Sequence, residues 1–322
     1  MKGTKMACVS DVAFSDLYIT PNKKAYMWSQ QSQYGLKEAT FDDYEDFYAT
    51  IEQGYKDNPS YLVIYKNHSY RVEKTIAING PQYCVRKQPM SVPRITDLGM
   101  PAPVVRHLVS LGKYSGLILV SGATGAGKST TLASLLKEYL INEGGYAITI
   151  EDPVEMPLDG IYKNANGELG LCKQTMPQNG NWAASLKSAL RSCPRYIMLG
   201  EIRSPDVAVE ALQAAASGHL VLTTIHANTV GDAINALVKY AAAGNVSEDM
   251  AYDLVATSLL ACLQQRLIGV PKRLRLQSLF ANPDVEQGCQ VRTSIKQGRL
   301  NFATIIETQN IRLSNNQPLF GY

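Results

Sequence analysis

Residues 122–129, which read GATGAGKS, restrict the fold of this 322-residue chain more than any other stretch. They follow the apolar run LILV (117–120) and precede a helical pattern over 129–141. The spacing matches G-x-x-x-x-G-K-S/T, in which glycines let the backbone wrap tightly and turn its N–H groups toward phosphates. The next helix presents the positive end of its dipole to the same place. The stretch therefore predicts a strand, a loop and a helix that together bind ATP or GTP.

Each polar residue of this loop has a predicted role. Lys128 is expected to reach the β and γ phosphates, and Ser129 is expected to offer its hydroxyl to Mg²⁺. A glycine-rich turn that binds nothing is the alternative, and the coincidence of glycines, lysine, hydroxyl and context argues against it. The loop by itself does not separate a motor from a small-molecule kinase. The other predicted nucleotide contacts in it are Gly122, Thr124, Gly125, Ala126, Gly127 and Thr130.

Short apolar runs alternate with helical patterns after the loop, and this alternation predicts a mainly parallel sheet covered by helices on both faces. The predicted strands are 117–120, 147–150, 196–199 and 220–225. The predicted helices are 129–141, 183–191, 205–217 and 230–243. A longer helix is expected over 247–268, because Ser247, Glu248 and Asp249 suit a helix start. The fold class is therefore α/β.

The front of the chain has a different pattern. Residues 1–95 are polar and rich in aromatic side chains, with strand-like runs at 61–65 and 70–78, which predict a small α+β domain. Four prolines between positions 89 and 103 interrupt regular structure, because proline lacks an N–H donor. We place a linker at 96–112 and the ATPase domain, with a helical carboxyl-terminal part, at 113–322.

Composition excludes several classes of protein. The formal net charge of +3 is too small to indicate a nucleic-acid partner, so none is expected. The six cysteines are scattered without a C-x-x-C pair, which argues against a zinc ribbon or a disulfide framework. The amino terminus has no apolar core long enough for a signal peptide, and no stretch reaches 18 uninterrupted apolar residues. These features predict a cytoplasmic protein.

Acidic and histidine side chains stand at the ends of three predicted strands. Ligands of open parallel sheets bind at the carboxyl ends of strands, so each position has a chemical reason to be occupied by such residues. Carboxylates there can hold Mg²⁺ or an attacking water, an arginine can contact phosphate, and a histidine can sense phosphate or orient a carboxylate. The residues concerned are Glu151 after the second strand, Glu201 and Arg203 after the third, His226 after the fourth, and His219 before it.

Four motifs in order resemble those of the PilT and GspE-like secretion ATPases, which are hexameric motors of type IV pili and of type II and type IV secretion. They are GATGAGKST (122–130), ITIEDPVE (148–155), IMLGEIR (197–203) and SGHLVLTTIHANT (217–229). The likeness continues in FSDLYIT (14–20), SALRSCP (188–194), QQRLIG (264–269) and, in degraded form, VRTSIKQGRLNFATIIETQ (291–309). It therefore spans nearly the whole chain.

The resemblance implies an amino-terminal PAS-like domain, a flexible linker and a RecA-like ATPase domain. It implies a homo-hexamer that uses ATP and Mg²⁺ and attaches to the inner membrane through platform proteins of a secretion or pilus system. In that family Glu151 would activate the attacking water and Glu201 would support Mg²⁺ or that water, although either could be the base. His226, and also His219, would couple the nucleotide state to movement. Arg71 and Arg86 occupy the segments whose arginines complete the site, although a solvated basic face is an equal reading.

The chain departs from the family pattern at several positions, and more than one function is compatible with its sequence. Cys193, Pro194 and Arg195 replace the Asp-Pro-Asp of pilus-retraction members, and Ser204 replaces an Asp. These differences favour a type IVB secretion motor of the DotB kind over pilus retraction. A nucleotide-gated assembly subunit with little turnover and a nucleic-acid translocase are the alternative functions. A small-molecule kinase fits less well, because its chemistry does not need two carboxylate positions and a histidine motif.

Overall fold

The computed structural model describes residues 7–28 and 35–320, so the lysine-containing start of the sequence at 1–6 lies outside the described residues. The chain divides into two compact units, Met1–Met90 and Ser91–Tyr322. Among the described residues no helix is long and apolar enough to cross a membrane. Each unit has its own hydrophobic core, and each is described by itself below.

In residues 7–28 and 35–90 the first unit has an antiparallel sheet and one α-helix, which agrees with the predicted α+β class. The sheet has the order β3-β2-β1-β6-β5-β4. Its elements are β1 (Asp16–Ile19), β2 (Ala25–Trp28), β3 (Lys37–Ala39), α1 (Tyr44–Gly54), β4 (Ser60–Tyr65), β5 (His68–Ala77) and β6 (Gly80–Lys87). Phe47 of α1 packs edge-on against Tyr70 of β5, with ring centroids 4.9 Å apart. Alternate residues of β5 therefore enter the core, because successive side chains of a strand point to opposite faces. The PAS-like assignment stays a prediction.

The second unit contains an eight-stranded sheet in the order β14-β13-β7-β12-β11-β8-β10-β9. Its strands are β7 (Gly116–Ser121), β8 (Gly145–Ile150), β9 (Gly160–Lys163), β10 (Leu169–Thr175), β11 (Tyr196–Leu199), β12 (Leu220–Ile225), β13 (Leu259–Ile268) and β14 (Arg273–Phe280). The strands from β13 to β10 are parallel, and β14 and β9 pair antiparallel at the two edges. The predicted mainly parallel sheet is confirmed.

Helices cover both faces of this sheet. They are α2 (Ala102–Ser110), α3 (Lys128–Asn142), α4 (Trp182–Leu190), α5 (Pro205–Ala216), α6 (Val230–Ala242), α7 (Glu248–Ser258), α8 (Gln290–Lys296) and α9 (Ala303–Ser314). Leu117 and Leu119 of β7 face the core formed with α4 to α8. Ile118 and Val120 face the core formed with α2, α3 and α9. The central strand is thus buried on both faces, which is why it reads as an unbroken apolar run.

The segment 96–112 differs from the expected linker. It contains α2, and Leu108 and Leu111 are fully buried in the core of the second unit. Pro101 and Pro103 stand at the start of this helix, where a missing N–H leaves no hydrogen bond unmade. These two prolines therefore mark the start of a helix.

The helix expected over 247–268 ends at Ser258, and the remainder is strand β13, so that part of the prediction is wrong. β13 lies parallel to β7, with Leu259 opposite Leu117 and Gln264 opposite Ser121. Its first seven residues are buried on both faces. A strand buried in this way loses the alternation of apolar and polar residues, so its sequence cannot be told from a buried helix by periodicity.

Candidate active site

The loop between β7 and α3 wraps closely because of its glycines. Gly127 has φ of +84° directly before the first residue of α3. A β-carbon on Gly122 would lie 2.4 Å from the backbone oxygen of Gln265 on the neighbouring strand β13. Any larger residue at position 122 would therefore collide with backbone. The loop matches the conformation that its spacing predicted, with its peptide groups at the amino end of a helix of 15 residues.

Lys128 folds back over this loop. Its Nζ donates to the carbonyl oxygens of Gly122 at 3.0 Å and Ala123 at 3.1 Å. Burial lowers the pKa of Lys128, and the negative charges of Glu201 and Glu155 act in the opposite direction. The ammonium group thus lies at the rim of the loop, within the electrostatic reach of carboxylates that come from two other strand ends.

The other predicted nucleotide contacts lie in the same loop or in the first turn of α3. Thr124 and Gly125 are exposed, Ala126 is buried, and Ser129 and Thr130 are half-buried. All of them are grouped within one strand–loop–helix unit. Their contact with a nucleotide stays a prediction.

Four neighbouring strands present the predicted chemical groups at one edge of the sheet. In the order β7, β12, β11, β8 they end in the phosphate loop, His226, Glu201 and Glu151. The register aligns Ser121 with Ile225 and Leu199 with Ile150, so the four strand ends lie side by side. Strands are spaced at about 4.8 Å, which puts the ends of β7 and β8 about 14 Å apart. The phosphate loop and Glu151 therefore lie at the same ends of the strands, three strands apart.

Glu151 is a buried carboxylate with polar support. It is 4% exposed. Its Oε1 accepts from Thr149 Oγ1 at 2.7 Å and from Gln174 Nε2 at 3.0 Å. Burial raises the pKa of Glu151, and the two hydrogen bonds oppose that rise without cancelling it. A carboxylate with a raised pKa accepts a proton more readily than a solvated one, which suits a general base.

Glu201 is held by two of the other predicted residues. Arg203 Nε donates to Oε2 of Glu201 at 2.9 Å, and Arg203 Nη2 lies 2.7 Å from the same oxygen. His226 Nε2 lies 3.0 Å from its Oε1. The carboxylate thus connects the end of β11 with the end of β12. The structure brings Arg203 and His226 into polar contact with the Glu201 carboxylate, so the three side chains form one group.

His219 does not join this group, and its role in coupling the nucleotide state to movement stays a prediction. It precedes β12, and its backbone oxygen accepts from Gly116 N–H at the start of β7. Its Nδ1 lies 2.6 Å from the carbonyl oxygen of Pro194. Parallel strands share one direction, so a residue before the strand lies at the sheet edge opposite to a residue after it. About 20 Å of strand separates the two histidines.

Arg71 and Arg86 belong to the first unit. They face each other across β5 and β6 at directly paired positions. Arg86 donates from Nε to Oδ1 of Asp16 at 2.8 Å, which holds its guanidinium within this unit. Their proposed contact with nucleotide stays a prediction.

Two supporting glutamines were not among the predicted site residues. Gln174 of β10 connects Glu151 to the backbone, since its Nε2 also donates to Met156 O at 2.9 Å. Gln265 of β13 donates from Nε2 to Ala126 O at 2.6 Å. The sequence carries no local signal for Gln174. It lies on β10, a strand with exposed and polar side chains that the sequence pattern did not predict. Gln265 lies within the family-like stretch QQRLIG, but its contact is with a loop that is far away in sequence.

The available donors fit Mg²⁺. No group of three His, Cys, Asp or Glu side chains that could hold a metal occurs in the described ranges 7–28 and 35–320. Mg²⁺ at phosphate sites usually takes one or two protein oxygens together with phosphate oxygens and water. The Ser129 hydroxyl and the Glu201 carboxylate are oxygen donors of that kind. A nucleotide would have to supply the remaining ligands.

Comparison with known proteins identifies the family. A family model described as Type II/IV secretion system protein matches residues 59–317. The chain belongs to this family. Among curated relatives it is 36% identical over 194 residues to the uncharacterized protein YggR of Escherichia coli K12. It is 38% identical over 156 residues to the type II secretion system ATPase E of Vibrio cholerae. It is 31% identical over 220 residues to a twitching motility protein of Neisseria gonorrhoeae.

These matches cover only parts of both chains. They span 59%, 48% and 67% of this member of the family and 55%, 27% and 56% of the three relatives. The chain therefore spans about a quarter to a half of the length of these curated relatives.

Solved structures share the fold over a longer stretch. The pilus retraction motor PilT with bound ADP has a TM-score of 0.72 at 24% identity and covers 96% of this chain and 88% of its own. The Legionella pneumophila ATPase DotB has a TM-score of 0.70 at 22% identity and covers 95% and 85%. At these identities the likeness establishes the fold, and the fold class predicted from sequence is confirmed.

Proposed function

We propose that this chain is an ATPase that binds ATP with Mg²⁺ at the loop 122–129 and uses its hydrolysis to drive a type II or type IV secretion or pilus machine. The observation that carries the proposal is the row of four strand ends, in which the loop, His226, Glu201 and Glu151 are neighbours. A loop that only bound phosphate would not need a buried carboxylate with a raised pKa at the end of β8, three strands away from β7. Family membership agrees with this function.

The proposed reaction is ATP and water to ADP and phosphate. The loop's N–H groups and Lys128 would hold the phosphates, and Ser129 and Glu201 would hold the metal. When bound, Mg²⁺ neutralises phosphate charge and favours attack on the terminal phosphate. Glu151 takes the proton of the attacking water, because the two hydrogen bonds that Oε1 accepts hold the carboxylate in place while burial raises its pKa. Glu201 is the alternative base.

Arg203 and His226 are proposed to connect the reaction with movement. In the structure both are engaged with Glu201, so neither needs a nucleotide to be held in place. A γ-phosphate would compete with the carboxylate for these donors, since a guanidinium pairs bidentately with phosphate oxygens. Exchange of partners at the end of β12 would then shift the loop that leads into α6. Arg71 and Arg86 are proposed to complete the site.

A homo-hexamer acting on inner-membrane platform proteins from the cytoplasmic side is the proposed assembly. This proposal comes from the family and from the likeness to PilT and DotB. The domain scheme of an amino-terminal domain and an ATPase domain belongs to the same proposal. Its linker would have to lie near Met90 and Ser91, where the two units divide.

The direct test is the substitution Lys128→Ala, with Lys163→Ala as its control. Lys163 is an exposed lysine on the edge strand β9, away from the loop. We expect ATP turnover to fall by on the order of 100-fold or more for Lys128→Ala, as for other losses of a phosphate-stabilising donor. Turnover of Lys163→Ala should equal that of the wild type. Wild-type turnover by Lys128→Ala would refute the proposal.

The nucleotide-gated assembly subunit remains a second candidate, because the Glu201 contacts to Arg203 and His226 could serve a binding switch equally well. It differs from the motor only in turnover. ATP binding without hydrolysis, even with a membrane partner present, would favour it. Salt-dependent DNA affinity would instead favour a translocase.

A further inference from the structure

Gln265 is buried beside the phosphate loop and uses both ends of its side-chain amide there. It is 1% exposed on β13. Its Nε2 donates to Ala126 O at 2.6 Å, and its Oε1 accepts from Thr131 Oγ1 at 2.9 Å. Ala126 lies in the loop, and Thr131 lies one turn into α3. One side chain therefore connects the loop to the first turn of the helix.

The bond to Ala126 sets the direction of a particular peptide group. The C=O of Ala126 and the N–H of Gly127 belong to the same planar trans peptide, in which they point in opposite directions. Gln265 draws the C=O toward β13, so the N–H of Gly127 points away from β13. In phosphate loops of this spacing the backbone N–H groups contact the phosphates. The glutamine thus aims one of those groups before any nucleotide arrives.

Nothing in the helix itself holds this peptide. The first backbone bond at the start of α3 runs from Thr131 N–H to Gly127 O at 3.0 Å, one residue beyond Ala126 O. Gly127 is a glycine with φ of +84°, a residue type that rotates freely between conformations. A loop with glycines at 122, 125 and 127 pays a large entropy cost when it is ordered. An outside clamp that orders the loop in advance removes part of that cost from binding.

We propose that Gln265 is a positioning residue that fixes the peptide between Ala126 and Gly127 for phosphate binding. The proposal rests on the proposed nucleotide function of the loop and adds a role for a strand that lies outside the motif. β13 pairs with the antiparallel outermost strand β14, so the Gln265 hydrogen bond also connects the loop to that side of the sheet. A shift of β13 along β7 would move the Gln265 amide and release the peptide.

The adjacent residue offers a matched control. Gln264 is the same residue type, is 5% exposed and sits on the other face of β13. Its Nε2 has no hydrogen-bond partner in the described part of the chain. Replacing either glutamine by leucine removes one buried side-chain amide and puts a side chain of similar volume in its place. Only Gln265→Leu removes a bond to the loop.

The first experiment measures amide hydrogen exchange of peptides covering 122–131 in the full chain without nucleotide. We expect exchange in Gln265→Leu to be faster by on the order of tenfold, because the loop loses its buried bond. Gln264→Leu should exchange as the wild type does. Equal exchange in the two variants would overturn the proposal, and this result does not depend on whether the chain binds nucleotide.

The second experiment measures the affinity for a fluorescent ATP analogue by titration. We expect Gln265→Leu to bind about tenfold or more weakly, while Gln264→Leu binds like the wild type. Thr131→Val should show a smaller loss, since it keeps the bond to Ala126, and Thr131→Ser should restore wild-type affinity, since it keeps the hydroxyl. Unchanged affinity in Gln265→Leu overturns the proposal. Failure of the wild type itself to bind the analogue would count against the proposed function. The hydrogen-exchange result would then be the only test of whether Gln265 orders the loop.

Discussion

Replacing His107 by leucine should make the second unit more resistant to mild acid. His107 lies on α2, its ring packs edge-on against Phe280 with centroids 4.5 Å apart, and Phe320 lies at 6.3 Å. Its Nε2 is buried and has no hydrogen-bond partner among the described residues. Burial lowers the pKa of His107 from 6.5 to about 4. The folded chain therefore keeps this ring neutral at pH values where the unfolded chain protonates it.

The sign of the effect follows from proton linkage. Between the two pKa values the unfolded state binds more protons, so the free energy of unfolding rises with pH through this window and falls as pH drops from 6.5 toward 4. With these pKa values His107 destabilises the wild type by about 2 kcal/mol at pH 5 and by far less at pH 7. The stability difference between His107→Leu and the wild type should therefore change by about 2 kcal/mol in favour of the variant from pH 7 to pH 5.

The assay is denaturant unfolding followed by the tryptophan fluorescence and circular dichroism of the full chain at both pH values. His68→Leu is the control, because it also removes one imidazole but lies in the first unit, with its Nδ1 at 3.0 Å from the carbonyl oxygen of Lys66. Taking the difference between variant and wild type cancels the titration of all other groups. A stability difference that stays the same at pH 7 and pH 5 would show that His107 is not held neutral by burial.

Two further predictions concern the candidate site. Glu151→Gln should abolish ATP turnover while retaining nucleotide binding, and should raise the free energy of unfolding at neutral pH because it removes a buried charge. The raised pKa of Glu151 means that this gain is lost as pH falls and the wild-type carboxyl group protonates; turnover near the wild-type rate would exclude Glu151 as the base. Gly122→Ala should weaken ATP binding, measured by titration, because its β-carbon meets Gln265 O at 2.4 Å. Gly125→Ala is the control with open space around the added carbon, and an equal loss in both variants would show that backbone conformation alone decides.

Much of the fold of the second unit was readable from local pattern. The strands 196–199 and 220–225 were predicted with the bounds that the structure has. β13 was mistaken for helix, and β9, β10 and β14 were not predicted. The strands at the middle of the sheet are uniformly apolar and follow each other at regular intervals, whereas β9 and β10 carry exposed and polar side chains that resemble loops. Burial on both faces made β13 ambiguous for the opposite reason.

The site divides in a similar way. Position after a strand correctly grouped Glu201, Arg203 and His226, because parallel strands all end at one edge. The same rule separates His219 from them, because His219 precedes β12 and therefore lies at the opposite end of that strand. Gln174 gave no signal at all, because its hydrogen bond to Glu151 spans two strands that the sequence did not pair.

The amino-acid sequence alone determined the phosphate loop, the parallel sheet and the order of the acidic and histidine residues along the chain. These features depend on local spacing, on glycine conformation and on the period of apolar residues, all of which are properties of short segments. Only the tertiary structure decided which strands are neighbours, and therefore that His226 lies between the loop and Glu201 and that Gln265 holds Ala126. Strand order depends on how helices of the whole unit pack against the sheet, and the direction of a buried amide depends on partners more than 100 residues away.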